Sequence, residues 1–465
     1  MKIVILGAGQ VGSTLATNLA SEANDITLVD SSEVLLSELR DRLDIQTVCG
    51  WGSHPEILEQ AGIEDADMLV AVTAYDEINM VACQIAHSLF RTPHKIARIR
   101  SVGYTNDDVR KRLFKSEDMP VDVAITPEQL VTEHLVQLIH QPGALQVKEF
   151  ANGHVQLVAV SAQPDAPMVG KPIRELVNQL GKAETRVAAI YRHNRPILAE
   201  GDTQIESGDE VFFLAAKNHI REVMAELADR EKPYRRIVIA GGGNIGFRVA
   251  QSLEKDYQVK VIELDPERCE FLAERLHRSI VLNGSSSDQD LLKEEGIETV
   301  DVFLALTNND AANIISSMLA KRLKAGKVVT LINNPVYVDL MQSSEDIDIA
   351  ISPSQITTSA LLAFVRRGDT VKVHSLRRGA AEAMEIVAHG DSKSSKVVGR
   401  RIGDIKLPDG ATIGCIVRNI DNKPQVLMGK GDIVIEDEDH LIIFLVDKDD
   451  IRKVEQLFSV SISFF

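Results

Sequence analysis

The sequence predicts an α/β protein of two tandem modules, each a doubly wound parallel sheet followed by a small α+β domain. Three observations carry this: one long internal repeat, a glycine fingerprint heading each copy, and a change of pattern late in each copy.

The repeat is explicit. Ile5-Leu6-Gly7-Ala8-Gly9-Gln10-Val11-Gly12 returns as Ile239-Ala240-Gly241-Gly242-Gly243-Asn244-Ile245-Gly246, 234 residues on. Gly50, Thr73, Asp76 and Asn79 return at the same offset as Gly284, Thr307, Asp310 and Asn313, and Asp30 returns as Glu263 at 233. Residues 123–127 match 349–353 at 226, 169–173 match 398–402 at 229, and 205–209 match 435–439 at 230. The drifting offset marks short loop insertions, so the duplicated unit is a whole two-domain module.

Within each module the first ~130 residues alternate short Val/Ile/Leu runs with helical patterns, as βαβ units on a parallel sheet require. Aromatic residues are only 4% of the chain, and cores of Val, Ile, Leu and Ala suit strands covered on both faces. The last ~90 residues differ, with β-like runs at 155–160, 187–191 and 211–215 around one helix-like stretch at 173–180. The charged segment 231–236, with Pro233 discouraging helix, separates the modules, and Gln141-Pro142-Gly143 marks a softer joint. The expected domains are therefore 1–140, 141–231, 232–364 and 365–465.

The fingerprint has the context that gives it meaning. It follows a strand, opens a helix at 13–20, and precedes a second strand, 25–29, that ends in Asp30, eighteen residues after Gly12. In such a Rossmann-like turn Gly7 permits the bend, Gly9 lets the backbone approach a pyrophosphate, and Gly12 lets helix and sheet pack closely. The helix N-terminus offers unpaired N–H groups and a positive dipole end to phosphates. Asp30 is placed to accept hydrogen bonds from an adenosine ribose and would repel a 2′-phosphate, which favours NAD over NADP. The same contact serves ATP, ADP or AMP, and a solvated acid at a strand end is the plainer alternative.

Other residues fall where crevice loops belong. Thr73-Ala74 ends a strand at 68–72, as Thr307-Asn308 ends one at 302–306, and ligands of doubly wound sheets sit at such carboxyl ends. Arg98 and Arg100 lie on an apolar strand at 95–100, within reach of phosphates, although a surface ion pair would equally explain Arg100. At an offset of 234 they map onto Ile332 and Asn334, so the second copy is expected to lack those charges while keeping three glycines and Glu263. Both copies are then expected to bind an adenine nucleotide, the first holding pyrophosphate ligands more tightly.

Composition narrows the partners. With 68 acidic against 51 basic residues, a net charge of −17 and no long basic tract, the chain has no footprint for nucleic acid and would be repelled by anionic lipid. No apolar run reaches the eighteen or more residues of a membrane span, and a strand beginning at Met1 is expected to leave no room for a signal peptide. Cys49, Cys83, Cys269 and Cys415 have neither metal-ligand nor redox spacing and read as reduced thiols of a cytosolic protein.

Catalytic groups are hard to find. A dehydrogenase needs a proton-handling residue beside the nicotinamide, yet the twelve histidines are scattered and His54, His87 and His193 map onto Asp288, Lys321 and Asn419. Nucleophile-elbow, zinc-helix and Walker motifs do not occur. A bound nucleotide without chemistry around it suggests sensing, with an NAD-dependent oxidoreductase as the chief alternative and a scaffold that has lost its ligand as a third reading.

Three further stretches are distinctive: Ala66-Asp67-Met68-Leu69-Val70-Ala71-Val72-Thr73, Asn79-Met80-Val81-Ala82-Cys83-Gln84, and the second fingerprint. With these, essentially the whole chain resembles the tandem RCK (regulator of potassium conductance) family, the peripheral regulatory subunits of bacterial Trk-type potassium uptake. The resemblance implies that Gly7, Ala8, Gly9, Gln10, Val11, Gly12, Asp30, Thr73, Ala74 and Arg98 form a first nucleotide site. It implies a second from Gly241, Gly242, Gly243, Asn244, Ile245, Gly246, Glu263, Thr307 and Asn308. It further implies NAD or NADH as ligand, with ATP or ADP as alternative or additional ligands. The implied assembly is a homotetramer whose eight modules form a ring on the cytoplasmic face of the inner membrane, held there by a membrane-embedded potassium-translocating subunit. Catalytic and metal sites are not implied. Two departures stand out. Family modules often carry an acid-bearing Gly-Asp-Ala turn where this chain has Gly50-Trp51-Gly52-Ser53 and Gly284-Ser285-Ser286-Ser287, and Glu438 stands where the first copy has Gly208.

Overall fold

The computed structural model describes all residues except 23, 116, 181–184, 194, 198, 229–231, 342–345, 367–369, 377–380, 422, 447–449 and 459–465. The expected module boundary at 231 thus lies outside the described residues, whereas 232–235 carry no regular structure. The chain forms two compact units, Met1–Glu133 with Arg235–Leu361, and His134–Tyr234 with Leu362–Phe465.

The first unit holds both doubly wound sheets. The first copy runs β1 (Lys2–Leu6), α1 (Gln10–Ala20), β2 (Asp25–Asp30), α2 (Glu33–Arg40), β3 (Gln46–Cys49), α3 (Pro55–Gln60), β4 (Met68–Ala71), α4 (Asp76–Ser88), β5 (His94–Arg98), α5 (Val102–Thr105), α6 (Asp107–Leu113), β6 (Val123–Ile125) and α7 (Pro127–His140). Its strands are all parallel, in the order β3-β2-β1-β4-β5-β6. This order reverses direction beside β1 and leaves a crevice at the strands' carboxyl ends. Ile3, Val4, Ile5 and Leu6 are wholly buried, as a central strand covered on both faces should be. Helix α1 buries Gly12, Leu15, Ala16 and Leu19, one stripe at helical spacing.

The small domain that follows in sequence contributes β7 (Ala144–Phe150), β8 (Val155–Ser161), α8 (Ile173–Leu180), β9 (Thr185–Arg192), β10 (Arg195–Ile197), β11 (Glu210–Ala216) and α9 (Ile220–Leu227). Sequence reasoning expected one helix here, and α9 is a second. Its buried Ile220, Val223, Met224 and Leu227 keep helical spacing, but eight residues beside a strand give a short signal. Strand β7 was also missed, because its buried residues recur every third position and it has a register irregularity near Ala144.

The second copy repeats the plan with β12 (Arg236–Ala240), α10 (Asn244–Leu253), β13 (Gln258–Glu263), α11 (Pro266–Arg275), β14 (Ile280–Asn283), α12 (Gln289–Glu294), β15 (Val302–Ala305), α13 (Asp310–Arg322), β16 (Lys327–Leu331), α14 (Pro335–Met341), β17 (Ile349–Ile351) and α15 (Pro353–Val365). Its sheet order, β14-β13-β12-β15-β16-β17, is that of the first copy. The second small domain has β18 (Thr370–Leu376), β19 (Ala381–Val387), β20 (Ala411–Ile420), β21 (Lys423–Met428), β22 (His440–Leu445) and α16 (Ile451–Phe458).

In the second unit the two small domains form antiparallel sheets of matching order, β10-β9-β11-β8-β7 and β21-β20-β22-β19-β18. They share one core containing Phe150, Tyr191, Phe212, Cys415 and Phe444, with Phe212 and Phe444 ring centroids 6.1 Å apart. A Cβ at Gly414 would lie 2.0 Å from Leu214 Cδ1, so only glycine lets the sheets approach this closely. Each small domain pins a turn with a buried carboxylate: Arg192 holds Asp209 at 2.8 and 2.9 Å, and Arg418 holds Asp439 at 2.8 and 2.7 Å. Gly208 in that turn has φ +85° and Glu438, its counterpart, +63°. The substituted glutamate thus keeps the left-handed backbone and pairs with His389 at 2.9 Å. Among the described residues no helix is long and apolar enough to cross a membrane.

Candidate functional site

In the first unit the carboxyl ends of both sheets open on one cleft of about 1320 Å³. On the first copy's side, Gly7 adopts φ +104° and donates its N–H to Val29 O at 2.8 Å. A Cβ at Gly12 would sit 1.8 Å from Gly7 O, and one at Gly246 would sit 1.9 Å from Gly241 O. Close helix–loop packing therefore enforces both glycines, as the fingerprint predicts.

Gly9 and Gly243 cap α1 and α10 in extended conformation without a side-chain hydrogen bond. By contrast Ser32, Asp265 and Asn309 cap α2, α11 and α13 through their side chains. The first N–H groups of α1 and α10 thus lack a side-chain acceptor where Gly9, Gln10, Val11, Gly243, Asn244 and Ile245 line the cleft, an arrangement suited to an anion. Gly7, Asp30, Thr73, Ala74, Arg98, Gly241, Glu263, Thr307 and Asn308 line it too. Ala8, Gly12, Gly242 and Gly246 do not; they serve the loop's own geometry.

Each strand-end acid first secures its loop. Asp30 accepts from Ala8 N at 2.7 Å and from Ser32 N at 2.8 Å. Glu263 accepts from Gly242 N at 2.7 Å, Leu264 N at 2.8 Å and Asp265 N at 3.0 Å. A carboxylate offers about four acceptor positions, so capacity for a ligand hydroxyl remains in both.

On the other side of β1, a buried asparagine ties two strand ends together. Asn79 accepts from Thr73 N and Oγ1 at 3.0 and 2.7 Å and donates to Arg98 O at 2.9 Å. Asn313 repeats the pattern with Thr307 at 2.9 and 2.6 Å and Leu331 O at 2.9 Å. Beside them Asp76 accepts from Arg100 N and Ser101 N, and Asp310 from Asn333 N and Asn334 N. Both residue pairs were visible in the repeat, but their role as latches was not.

These latches correct one alignment. Arg98 O and Leu331 O receive the same bond, and Arg100 N and Asn333 N make the same one, so the equivalents of Arg98 and Arg100 are Leu331 and Asn333. The expected Ile332 and Asn334 are one residue too far, because the offset has already slipped to 233 by this strand. The two lost charges remain lost, yet the second half is not without a cation. Arg268, on α11, lines the cleft, donates Nε to Gly242 O at 2.7 Å and lies 4.2 Å from the Phe271 ring centroid. Leu35 occupies the matching place in the first half, at an offset of 233. A single arginine on an amphipathic helix gave no sequence signal.

The two arginines of the first half differ. Arg100 donates Nε to Glu128 Oε1 at 2.9 Å, so the ion-pair reading of that residue holds. Arg98 keeps a buried Nε without a protein partner, and burial, then the neighbouring Arg100, lowers its pKa. A partly buried guanidinium on a cleft wall, its Nε without a protein partner, is a ready partner for an anionic ligand. The described residues lining the cleft include no histidine, lysine or cysteine.

Duplicated Rossmann domains that direct two glycine loops and two acids into one cleft, with paired small domains, define a tandem dinucleotide-fold protein. The chain belongs to the TrkA family: the TrkA-N domain matches residues 3–127 and 237–353, and the TrkA-C domain matches 157–228 and 392–459. It is 59% identical over 465 residues to the Trk system potassium uptake protein TrkA of Halomonas elongata, covering 100% of both chains. It is 56% identical over 461 residues to the protein of that name from Vibrio alginolyticus, covering 99% of each. Among solved structures, the crystal structure of the GsuK RCK domain aligns with TM-score 0.60 at 17% identity, over 98% of this chain and 94% of that one. A GsuK channel bound to NAD aligns with TM-score 0.59 at 16% identity, over 98% and 78%. At such identities these two share the fold.

Proposed function

We propose that this chain is the nucleotide-sensing regulatory subunit of a Trk-type potassium uptake system, gating a membrane-embedded potassium-translocating partner and catalysing no reaction. The sensing half of the reading is carried by one observation: two loop-and-acid sets face a single cleft lined by anion-binding groups. The transport half is supported by the names of full-length relatives at 59 and 56% identity. An oxidoreductase is disfavoured, since the carboxylates of the cleft are engaged by backbone N–H groups or by Arg100, and among the described residues no histidine or lysine lines it.

The ligand proposed for the first half is NAD or NADH, held by the loop from Gly7 to Gly12 with Asp30, Thr73, Ala74 and Arg98. ATP or ADP is the alternative or additional ligand, and the second half, from Gly241 to Gly246 with Glu263, Thr307 and Asn308, takes an adenine nucleotide. The same reading divides the chain at 1–140, 141–231, 232–364 and 365–465. It also assembles four copies at the cytoplasmic face of the inner membrane through the partner. A ligand that moves such a gate from mostly closed to mostly open needs about 5.5 kcal/mol of differential binding, which several sites can share.

The test is potassium-limited growth of cells lacking this gene, complemented with wild type or D30A. Rescue by wild type and impaired rescue by D30A is the expected result. Undiminished potassium uptake after deletion, with no related transporter compensating, overturns the proposal and makes a substrate screen with NADH the next step.

A further inference from the structure

The cleft wall beyond β2 and β3 carries an aromatic group to which the reading above gives no role. Trp51, the chain's sole tryptophan, follows β3 and lines the cleft with Asp30, Ser31 and Leu35. Its backbone is held on both sides. Gly50 N donates to Asp30 O at 2.9 Å and His54 N to Trp51 O at 3.0 Å, and a Cβ at Gly52 would meet Leu6 Cδ1 at 2.8 Å. The side chain is nevertheless 51% exposed, beside a Leu35 that is 39% exposed. Among the described residues no ring or cation stacks on the indole. A large apolar face mounted on a pinned turn inside a concave site marks a contact surface.

Topology says what lies there. In a sheet of this order the adenosine half of a nucleotide lies on the β2–β3 side of β1, its ribose at the acid that ends β2. The base then projects beyond Asp30 toward the end of β3, where Trp51 and Leu35 stand. The second copy has Ser285 and Arg268 at these positions, with the Arg268 guanidinium already stacked on Phe271 and bonded to Gly242 O. It offers no aromatic face there, its exposed apolar group being Leu264 beside Glu263.

We propose that Trp51 stacks on the purine base of the nucleotide in the first half of the cleft, with Leu35 beside it, and determines specificity there. The inference rests on the nucleotide reading and is separable from it. The first half recognises its ligand by the base, whatever lies beyond the pyrophosphate.

Because the chain has one tryptophan, its emission reports on the first half alone. Titrating the full-length protein with ADP is expected to quench that emission, while nicotinamide mononucleotide, which has no purine, leaves it unchanged. By calorimetry in a G246V background, where the second loop has no room for a side chain, W51A is expected to weaken ADP binding about 5- to 100-fold. W51F should stay within about threefold of wild type. ADP binding without any change in emission, equal quenching by nicotinamide mononucleotide, or W51A binding like wild type while D30A does not, overturns the stacking role and leaves the nucleotide reading standing. Failure of the unaltered protein to bind either ADP or NAD overturns both.

Discussion

Acid should loosen the second unit through one histidine in particular. His374, on β18, donates Nε2–H to Glu149 O at 3.3 Å and packs edge-on against Phe150, centroids 5.0 Å apart. The groups around it are mostly cationic: Lys148 and Lys372 both oppose its protonation, and burial is the largest cause holding its pKa down from 6.5 to about 3. His134, whose Nδ1 lies 3.3 Å from Lys148 Nζ, is also held well below the usual histidine value, by burial first and then by Lys148 and His374. The sign follows directly. A folded-state pKa below the unfolded one means the unfolded chain takes up the proton first, so stability falls as pH drops below 6.5. For values of 6.5 and about 3, the loss at pH 5 is at most about 2 kcal/mol, reduced to about 1 kcal/mol by solvent screening, because His374 keeps some exposure.

His440 acts in the opposite sense. Its hydrogen bond to Glu385, 2.7 Å, is the largest cause raising its pKa, so its contribution is full below pH 6.5 and is lost as pH rises through the raised value. The comparison must therefore isolate His374. H374N keeps a donor and removes the titration. In urea unfolding followed by circular dichroism, wild type should lose about 1 kcal/mol more than H374N between pH 7.5 and 5.0, a midpoint difference of roughly 0.3–0.5 M. Equal acid sensitivity of the two proteins would refute the argument.

Other outcomes follow from packing. Arg366 binds Glu382 through Nε and Nη2 at 3.0 and 2.7 Å with both side chains buried, so E382Q should cost about 3–5 kcal/mol in denaturant unfolding. A paired swap of both residues to leucine should recover most of that loss, and a cost below 1 kcal/mol for E382Q would show the pair to be hydrated. G12A, which forces a methyl toward Gly7 O, should weaken ADP binding by about 1–3 kcal/mol with near-native circular dichroism, and unaltered calorimetry would contradict the loop geometry. Of the thiols, Cys49 is exposed whereas Cys83 and Cys415 are buried, and burial raises Cys83 to about 12 and Cys415 further. A thiol-reactive dye should therefore label Cys49 first, and rapid labelling of Cys415 in the native state would argue against the shared core of the small domains.

Much of the fold was legible because it was written twice. The fingerprint, the acid after β2 and the Val/Ile/Leu runs each carry a local signature, and recurrence at a nearly constant offset removed ambiguity from each. What escaped was decided by tertiary contact. Arg268 is an ordinary helix-face arginine until the fold brings it onto Gly242 O. The Asn79 latch requires β4 and β5 side by side. The one-residue error at Arg98 arose because an offset carried forward from the glycine loops takes no account of a slip elsewhere in the chain; only hydrogen bonds reveal it. Helix α9 and strand β7 were missed because a short helix and an irregular strand give weak periodicity.

The common core of the small domains has an evolutionary consequence. Gly414 and Leu214 touch as two subunits of a symmetric dimer would, but they belong to one polypeptide. In a dimer of identical chains, any substitution appears on both sides at once, and a change helpful at one site must be tolerated at its twin. Fusion lifts that constraint. Position 98 is an arginine where its partner position is Leu331, and position 35 a leucine where its partner is Arg268, so each half of the cleft carries its own chemistry. The core packs as a dimer's would, and it is the single polypeptide, not the packing, that lets its two halves differ.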